Sequence, residues 1–342
     1  MRFTSALRWL TGFAALAGIA FAAVPGAAQI AIEKIKVHSP SVAGNLEANS
    51  ADRDVIIVLP PSYAKAPNKR YPVVYFLHGF TAKAENYDAY ARFGEAMADA
   101  AAKGNELILV VPDSYTRHGG SMYSNSVTVG NFEGFVARDL VTYIDGHYRT
   151  LARRESRGLA GHSMGGYGTF KIGMKYPEVF SSLYAMSGCC FSSLGMTPER
   201  GKALEAMSMD EALKGDMGVR AMFASAAAWS PAPDKPPFYA DLPTKNGEPQ
   251  PRIVAQWAAN SPLAMVPQYA GALRDMTAIA MDIGTEDTLL ASNRDMDAVL
   301  TRFGIAHSFQ TYDGNHGNRV PIRLKDHLLP FFGQHLSKAQ GR

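Results

Sequence analysis

Two hydrophobic rhythms alternate along this chain. An unbroken apolar run of strand length, expected where a strand is covered on both faces, stands at residues 72–77, and largely apolar stretches at 106–111, 182–186 and 277–283 read as further strands. Residues 32–37 and 55–59 each end in turn chemistry (Ser39-Pro40 and Pro60-Pro61-Ser62) and read as opening antiparallel strands, and 308–312 reads as the last strand. Helical spacings fill the intervals. An Ala-rich stretch predicts a helix over 87–102. Phe132, Phe135, Val136, Leu140, Tyr143 and Ile144 recur on one face behind Asn131, a good N-cap. Met296, Val299, Leu300 and Phe303 mark a helix closed by Gly304, and Pro321 opens a C-terminal helix that Pro330 must bend or break. Strands alternating with helices predict an α/β fold, a mostly parallel central sheet with helices on both faces.

The rhythm fails twice. Residues 117–130 are polar and Gly-rich and read as a loop at the C-terminal end of the strand before them. Residues 188–276 hold five methionines before Phe223, both Trp229 and Trp257, and seven prolines from Pro231 to Pro251. That is too apolar for a flexible linker. The segment reads as a cap-like insertion over the C-terminal edge of the sheet, with a small satellite core of its own, inside a single domain spanning 29–342.

The chemistry centres on Gly161-His162-Ser163-Met164-Gly165. A short apolar strand leads in and helix-compatible residues follow as far as Pro177, the context of a nucleophile elbow. A serine hydroxyl needs a base to take its proton, and the base needs an acid to fix its tautomer. In α/β-hydrolases the order is Ser, acid, His, each beyond the end of a strand. Asp287 lies in the loop after the strand 277–283, whereas Asp282 lies within that strand and Asp313 crowds the histidine loop; Glu286 is the fallback. Among nine histidines, His316 alone follows the final strand in a loop. His38 and His78 precede the nucleophile, His147 ends a helix, His307 falls in a strand, and His327 and His335 lie on the last helix. His162, inside the elbow, is expected to pack rather than react. Two backbone donors must meet the oxyanion of a tetrahedral intermediate. Met164 supplies one, and Phe80, in His78-Gly79-Phe80 after a central strand, the other. His118-Gly119-Gly120 looks similar but follows the wrong strand.

Leu77-His78-Gly79-Phe80, Gly161 through Gly166, Gly284-Thr285-Glu286-Asp287 and Gly314-Asn315-His316-Gly317 together resemble the putative-esterase family of α/β-hydrolases. Its members include tributyrin, feruloyl and acetylxylan esterases, S-formylglutathione hydrolases and mycobacterial mycolyltransferases. The likeness runs from about Asp54 to Leu336 and is greatest toward the tributyrin and feruloyl esterases, with Gly120-Ser121-Met122-Tyr123-Ser124-Asn125 part of it. It implies an α/β-hydrolase fold, a triad of Ser163, Asp287 and His316, oxyanion donors at Phe80 and Met164, and ester hydrolysis without metal or organic cofactor. The insertion departs from the compact members, so the particular ester is not carried over. A hydrophobic acyl pocket for a short chain or an aromatic acid is expected, with Tyr123 and Asn125 near its rim. Two other readings remain: an acyltransferase using the same triad, and a carbohydrate- or partner-binding protein on an inactive hydrolase scaffold.

Charge and cysteine narrow the setting. The 342 residues carry 34 basic and 31 acidic side chains. Arg2 and Arg8 precede an apolar run to Val24 and a small-residue site at Gly26-Ala27-Ala28, so residues 1–28 read as a cleaved export signal and the mature protein as periplasmic or secreted. Setting aside those two arginines leaves 32 basic against 31 acidic residues, which gives no footprint for nucleic acid and, with the signal removed, no stable membrane anchor. The partner is then a small-molecule or carbohydrate-linked ester, and no oligomeric state is implied. Cys189 and Cys190 are the only cysteines. They read as buried apolar side chains, a vicinal disulfide being the alternative in an oxidising compartment.

Overall fold

The apolar runs do become the central strands. The computed structural model describes residues 19–22, 30–192 and 195–339. The export signal expected over 1–28 lies outside these residues, apart from the backbone of Ile19–Ala22. That segment is β1; β2 (Ile30–His38), β3 (Asp52–Leu59), β4 (Val73–Leu77) and β5 (Ile108–Pro112) follow. A small ribbon pairs β6 (Asn125–Ser126) with β7 (Gly130–Asn131). Then come β8 (Arg157–His162), β9 (Ser182–Met186), a second ribbon of β10 (Thr244–Lys245) and β11 (Glu248–Pro249), β12 (Ala278–Gly284) and β13 (Ser308–Tyr312). The main sheet runs β1-β2-β3-β5-β4-β8-β9-β12-β13. It is antiparallel from β1 through the β3–β5 pair and parallel from β5 to β13.

Every residue of β4, β5 and β9 is buried because both faces of the sheet are covered. Alternate residues face opposite layers: Val73, Tyr75 and Leu77 join one core cluster, Val74 and Phe76 the other. Asn131 caps its helix as the sequence implies, its Oδ1 accepting the Gly134 amide at 2.8 Å.

The helix expected over 87–102 is two helices, Ala84–Ala91 and Phe93–Ala102. Arg92 breaks it at φ 57°, ψ 48°. The turn brings both Tyr87 and Phe93 onto Phe76, ring centroids 5.7 and 5.2 Å away. At the C-terminus Pro330 is absorbed by a wide π-turn, Leu324–Leu328, ahead of Leu329–His335; a proline has no N–H to offer an ordinary turn.

Residues 117–130, read as a polar loop, carry the β6–β7 ribbon and are largely buried. His118, Ser121, Ser124, Ser126 and Thr128 are buried, with hydroxyls answered by carbonyls: Ser126 Oγ donates to Ala227 O and Thr128 Oγ1 to Tyr239 O, each at 2.6 Å. Both acceptors belong to the insertion, which seals the loop at the C-terminal end of β5. The insertion contributes helices Pro198–Glu205, Met209–Lys214, Met217–Trp229, Pro251–Ala259 and Pro262–Arg274. It builds no satellite core. Met222, Trp229, Ile253 and Trp257 belong to the same apolar cluster as Leu159 and Phe170. Tyr167 and Lys171 of helix Met164–Lys175 tie the two together, donating to Asn260 O at 2.9 Å and Asn260 Oδ1 at 2.7 Å.

Cys189 and Cys190 are also not the buried apolar thiols expected. They form a vicinal disulfide and are partly exposed. The backbone there is held from both sides: Cys189 N–H donates to Ser163 O at 3.0 Å and Asn293 Nδ2 to Gly188 O at 2.8 Å.

Asp282 has the structural role its place inside a strand implied. Fully buried on β12, it accepts from Tyr184 OH at 2.7 Å and Arg323 Nε at 2.8 Å. Burial drives its carboxyl upward from the ordinary value, with Arg323 pulling against that shift. Arg323→Met leaves this buried carboxylate without its cation and is expected to lower unfolding free energy by about 3 kcal/mol. Urea denaturation measures the loss, and a variant as stable as the parent contradicts the assignment.

Candidate active site

Ser163 owes its position to a tight passage from β8 into helix Met164–Lys175. Its backbone is held at φ 58°, ψ −115°, a region a side-chain-bearing residue occupies only under constraint. Gly165 makes the passage possible, since a Cβ there would lie 1.8 Å from the Leu77 carbonyl oxygen of neighbouring β4. The Ser163 amide donates to Met186 O at 3.0 Å and its carbonyl accepts from Cys189. The serine is thereby fastened to β9 as well as to its own strand.

The acid and the base come from two loops pinned to each other. Thr285 N–H donates to Tyr312 O at 2.8 Å and Glu286 N–H to Gly314 O at 2.9 Å. The close approach needs Gly284, whose Cβ would lie 2.1 Å from Gly314 O. Asp287, its side chain fully buried, accepts from His316 Nδ1 at 2.8 Å and from the Leu289 amide at 2.9 Å. Desolvation pushes its carboxyl upward, but the hydrogen bonds from His316 and Leu289 outweigh it and hold the group below its ordinary value. His316 Nε2 stands 2.9 Å from Ser163 Oγ. With Nδ1–H donated to Asp287, Nε2 is the free acceptor for the serine proton. Glu286 and Asp313 are both exposed.

On the other side of Ser163, Gly79 packs close enough that a Cβ would sit 3.5 Å from Ser163 Cβ. Phe80 and Met164 follow Gly79 and Ser163 directly. Their side chains meet over Gly120, whose Cβ would be 2.8 Å from the Phe80 ring and 2.5 Å from Met164 Sδ. Among the described residues neither backbone amide donates to another protein group. Tyr123 is not at a pocket rim. It is fully buried, and its hydroxyl donates to His78 O at 3.1 Å, so it braces the loop carrying Phe80 from below. Asn125 is exposed on β6, its amide donating to Glu133 Oε1 at 3.2 Å. A cavity of about 350 Å³ lies inside the insertion, lined by Leu204, Phe223, Phe238, Asp241 and Gln250. It borders none of Ser163, Asp287 and His316, so it is not the acyl pocket expected above the serine.

Three residues matter here that the sequence reading passed over or left as packing. His78 donates from Nδ1 to Gly79 O at 2.9 Å and accepts the Ser114 amide on Nε2 at 2.9 Å, locking the β4 loop to β5. His162 bonds Tyr87 OH through Nδ1 at 2.6 Å and the His316 carbonyl through Nε2 at 2.7 Å. A carbonyl only accepts, so Nε2 carries the proton and Tyr87 donates to Nδ1. His162 thus packs, as expected, but what it packs against is the loop bearing His316. No spacing rule marks Tyr87, which lies 75 residues from His162.

Burial, reinforced by the nearby His316, lowers the His162 imidazole from 6.5 to about 4. A histidine whose folded-state value is depressed costs stability as pH falls below its unfolded value, because the unfolded chain takes up the proton first. The denaturation midpoint is therefore expected to fall between pH 6.5 and 4, and His162→Gln to flatten that slope. A slope unchanged in the variant refutes the neutral bridging role.

A parallel sheet with its serine on an elbow after a central strand, and Asp and His on successive loops beyond, defines the α/β-hydrolase fold. The family described as "Putative esterase" matches residues 47–320, and the chain belongs to that family. An esterase of Mycobacterium tuberculosis is 36% identical over 138 residues, which is 39% of this chain and 28% of that protein. An endo-1,4-beta-xylanase/feruloyl esterase of Xylanibacter ruminicola is 28% identical over 137 residues, 39% of this chain and 19% of its own length. The alignments thus span under a third of these relatives. Among solved structures, a ferulic acid esterase superposes with a TM-score of 0.65 at 22% identity, covering 91% of this chain and all of the other. An S-formylglutathione hydrolase from Agrobacterium tumefaciens gives 0.61 at 18% identity, covering 93% and 99%. At these identities the likeness is one of fold.

Proposed function

We propose that the protein is an exported serine carboxylic-ester hydrolase that works through an acyl-enzyme on short-chain or aromatic esters. The observation that carries this reading is the continuous hydrogen-bonded chain from Ser163 Oγ through His316 to Asp287, with bonds of 2.9 and 2.8 Å. Ser163 Oγ attacks the ester carbonyl carbon as its proton passes to His316 Nε2. The carbonyl π pair moves onto oxygen, where the Phe80 and Met164 amides receive the charge. Asp287, kept ionised, stabilises the imidazolium. His316 then gives its proton to the departing alkoxide, the C–O bond breaks, and Ser163 is left acylated. Water repeats the sequence: His316 takes its proton, hydroxide adds to the acyl carbon, and Ser163 leaves with the proton returned. Export rests on the basic and then apolar run at the N-terminus, and the vicinal disulfide is the pairing an oxidising compartment sustains. The family membership and the feruloyl esterases among the similar structures support the substrate class.

Ser163→Ala is expected to lower kcat by about 10⁴-fold or more, and Asp287→Asn to be comparably severe because it favours the wrong His316 tautomer. Hydrolysis of 4-nitrophenyl butyrate and methyl ferulate measures both, with circular dichroism to establish folding. A fluorophosphonate should add one equivalent of mass at Ser163. Wild-type turnover in a folded Ser163→Ala variant sinks the proposal.

A further inference from the structure

Beside the loop that carries Phe80 three cations gather. Arg220 projects from insertion helix Met217–Trp229 to within 3.3 Å of the Tyr115 hydroxyl through Nη2. It presses on Gly119 so closely that a Cβ there would lie 2.7 Å from Nη2 and 3.2 Å from Phe80 Cζ. The guanidinium and the tip of the Phe80 ring therefore flank one glycine. Lys83, three residues beyond Phe80 and exposed, places Nζ 5.4 Å from the Tyr115 ring centroid. Arg117, also exposed, reaches the Glu47 carbonyl at 3.5 Å.

The acids nearby are committed elsewhere. Asp113 pairs with Arg53 at 2.5 Å and also accepts the Ala84 and Tyr115 amides. Asp216 caps its own helix through the Val219 amide at 2.8 Å. Glu47 is buried 3.4 Å from His118 Nε2, and burial lifts its carboxyl to about 7, so it offsets little of the positive charge. The His118 imidazole is lowered to about 4 by burial and then by the charges of Arg117 and Arg220, a second sign that the local potential is positive. Among the described residues no carboxylate pairs with Arg220. Tyr115 is its side chain's one hydrogen-bond partner, and Nε is buried with none. A half-buried cation with no carboxylate partner beside it is matched by an oxyanion.

We propose that Arg220, with Lys83 and Arg117 around it, forms a carboxylate-binding subsite beside Phe80, and that the favoured substrates are esters bearing an anionic carboxylate. The guanidinium fork suits a carboxylate in shape and charge, and Gly119 alone separates it from the tip of the Phe80 ring. The substrate claim rests on the hydrolase reading above; the anion site does not.

The test compares kcat/KM for mono-4-nitrophenyl glutarate with that for neutral 4-nitrophenyl butyrate. Arg220→Gln is expected to lower the glutarate-to-butyrate ratio about tenfold, chiefly through KM, with Arg220→Lys retaining part of it. Added salt should lower the wild-type ratio. Arg117→Gln, on an exposed side chain, gives a second and smaller drop if Arg220→Gln does not fold. A separate arm titrates monomethyl glutarate into Ser163→Ala and Ser163→Ala/Arg220→Gln by calorimetry. Turnover of butyrate with neither the ratio nor the binding responding to Arg220→Gln overturns the subsite and leaves the hydrolase reading standing. Binding that depends on Arg220, in a protein that turns over neither ester, does the reverse.

Discussion

The structure depends on how closely β8 and its helix approach β4. At the elbow the Gly165 backbone lies against the Leu77 carbonyl with no room for a methyl group. Both the nucleophile and the Phe80 loop are fixed by that contact, because Leu77 ends β4 and His78-Gly79-Phe80 begins there. One short approach thus sets the position of Ser163 Oγ relative to the Phe80 and Met164 amides. The unfavourable backbone of Ser163 is sustained by the bonds on either side of it, to Met186 and from Cys189.

The base is positioned by the same economy. The acid loop and the histidine loop are pinned together at Gly284 and Gly314, so Asp287 and His316 move as one unit. That unit is then tied to the elbow by His162, which belongs to the nucleophile's own turn and holds the His316 backbone. Two connections therefore run between serine and histidine: the reactive one through side chains, and a structural one through His162 that leaves both reacting atoms free. Tyr87 extends the second to the helix layer.

Most of this frame was legible in the sequence because it depends on local rules. Apolar stretches marked the buried strands, the elbow glycines marked a tight turn, and chain order together with a place in a loop beyond a strand singled out Asp287 and His316. What escaped notice depends on contacts far apart in the chain. Residues 117–130 read only as a polar loop, and nothing local says that the Ser126 and Thr128 hydroxyls meet carbonyls of the insertion about a hundred residues away. Tyr123, expected near a pocket rim, is instead a buried strut under the Phe80 loop. The insertion's aromatics suggested a separate core, since periodicity cannot say which face a helix packs on. Arg92 could not be foreseen either, because arginine is an ordinary helix former and only the demand that two rings reach Phe76 breaks the helix there.

The merging of the insertion's apolar side chains with those under the elbow helix has a consequence for the timescale of catalysis. A cap with its own core can swing on hinges, and opening on the microsecond-to-millisecond scale then limits how fast substrate enters and product leaves. Here Trp229 and Trp257 are packed into the same apolar cluster as Leu159 of β8 and Phe170 of the helix that follows Ser163. Lifting the insertion would expose the interior of the enzyme itself, an event closer to partial unfolding than to gating. Entry to Ser163 is then expected to rely on side-chain reorientation, which takes nanoseconds or less at exposed positions, and not on a rigid-body swing of the insertion.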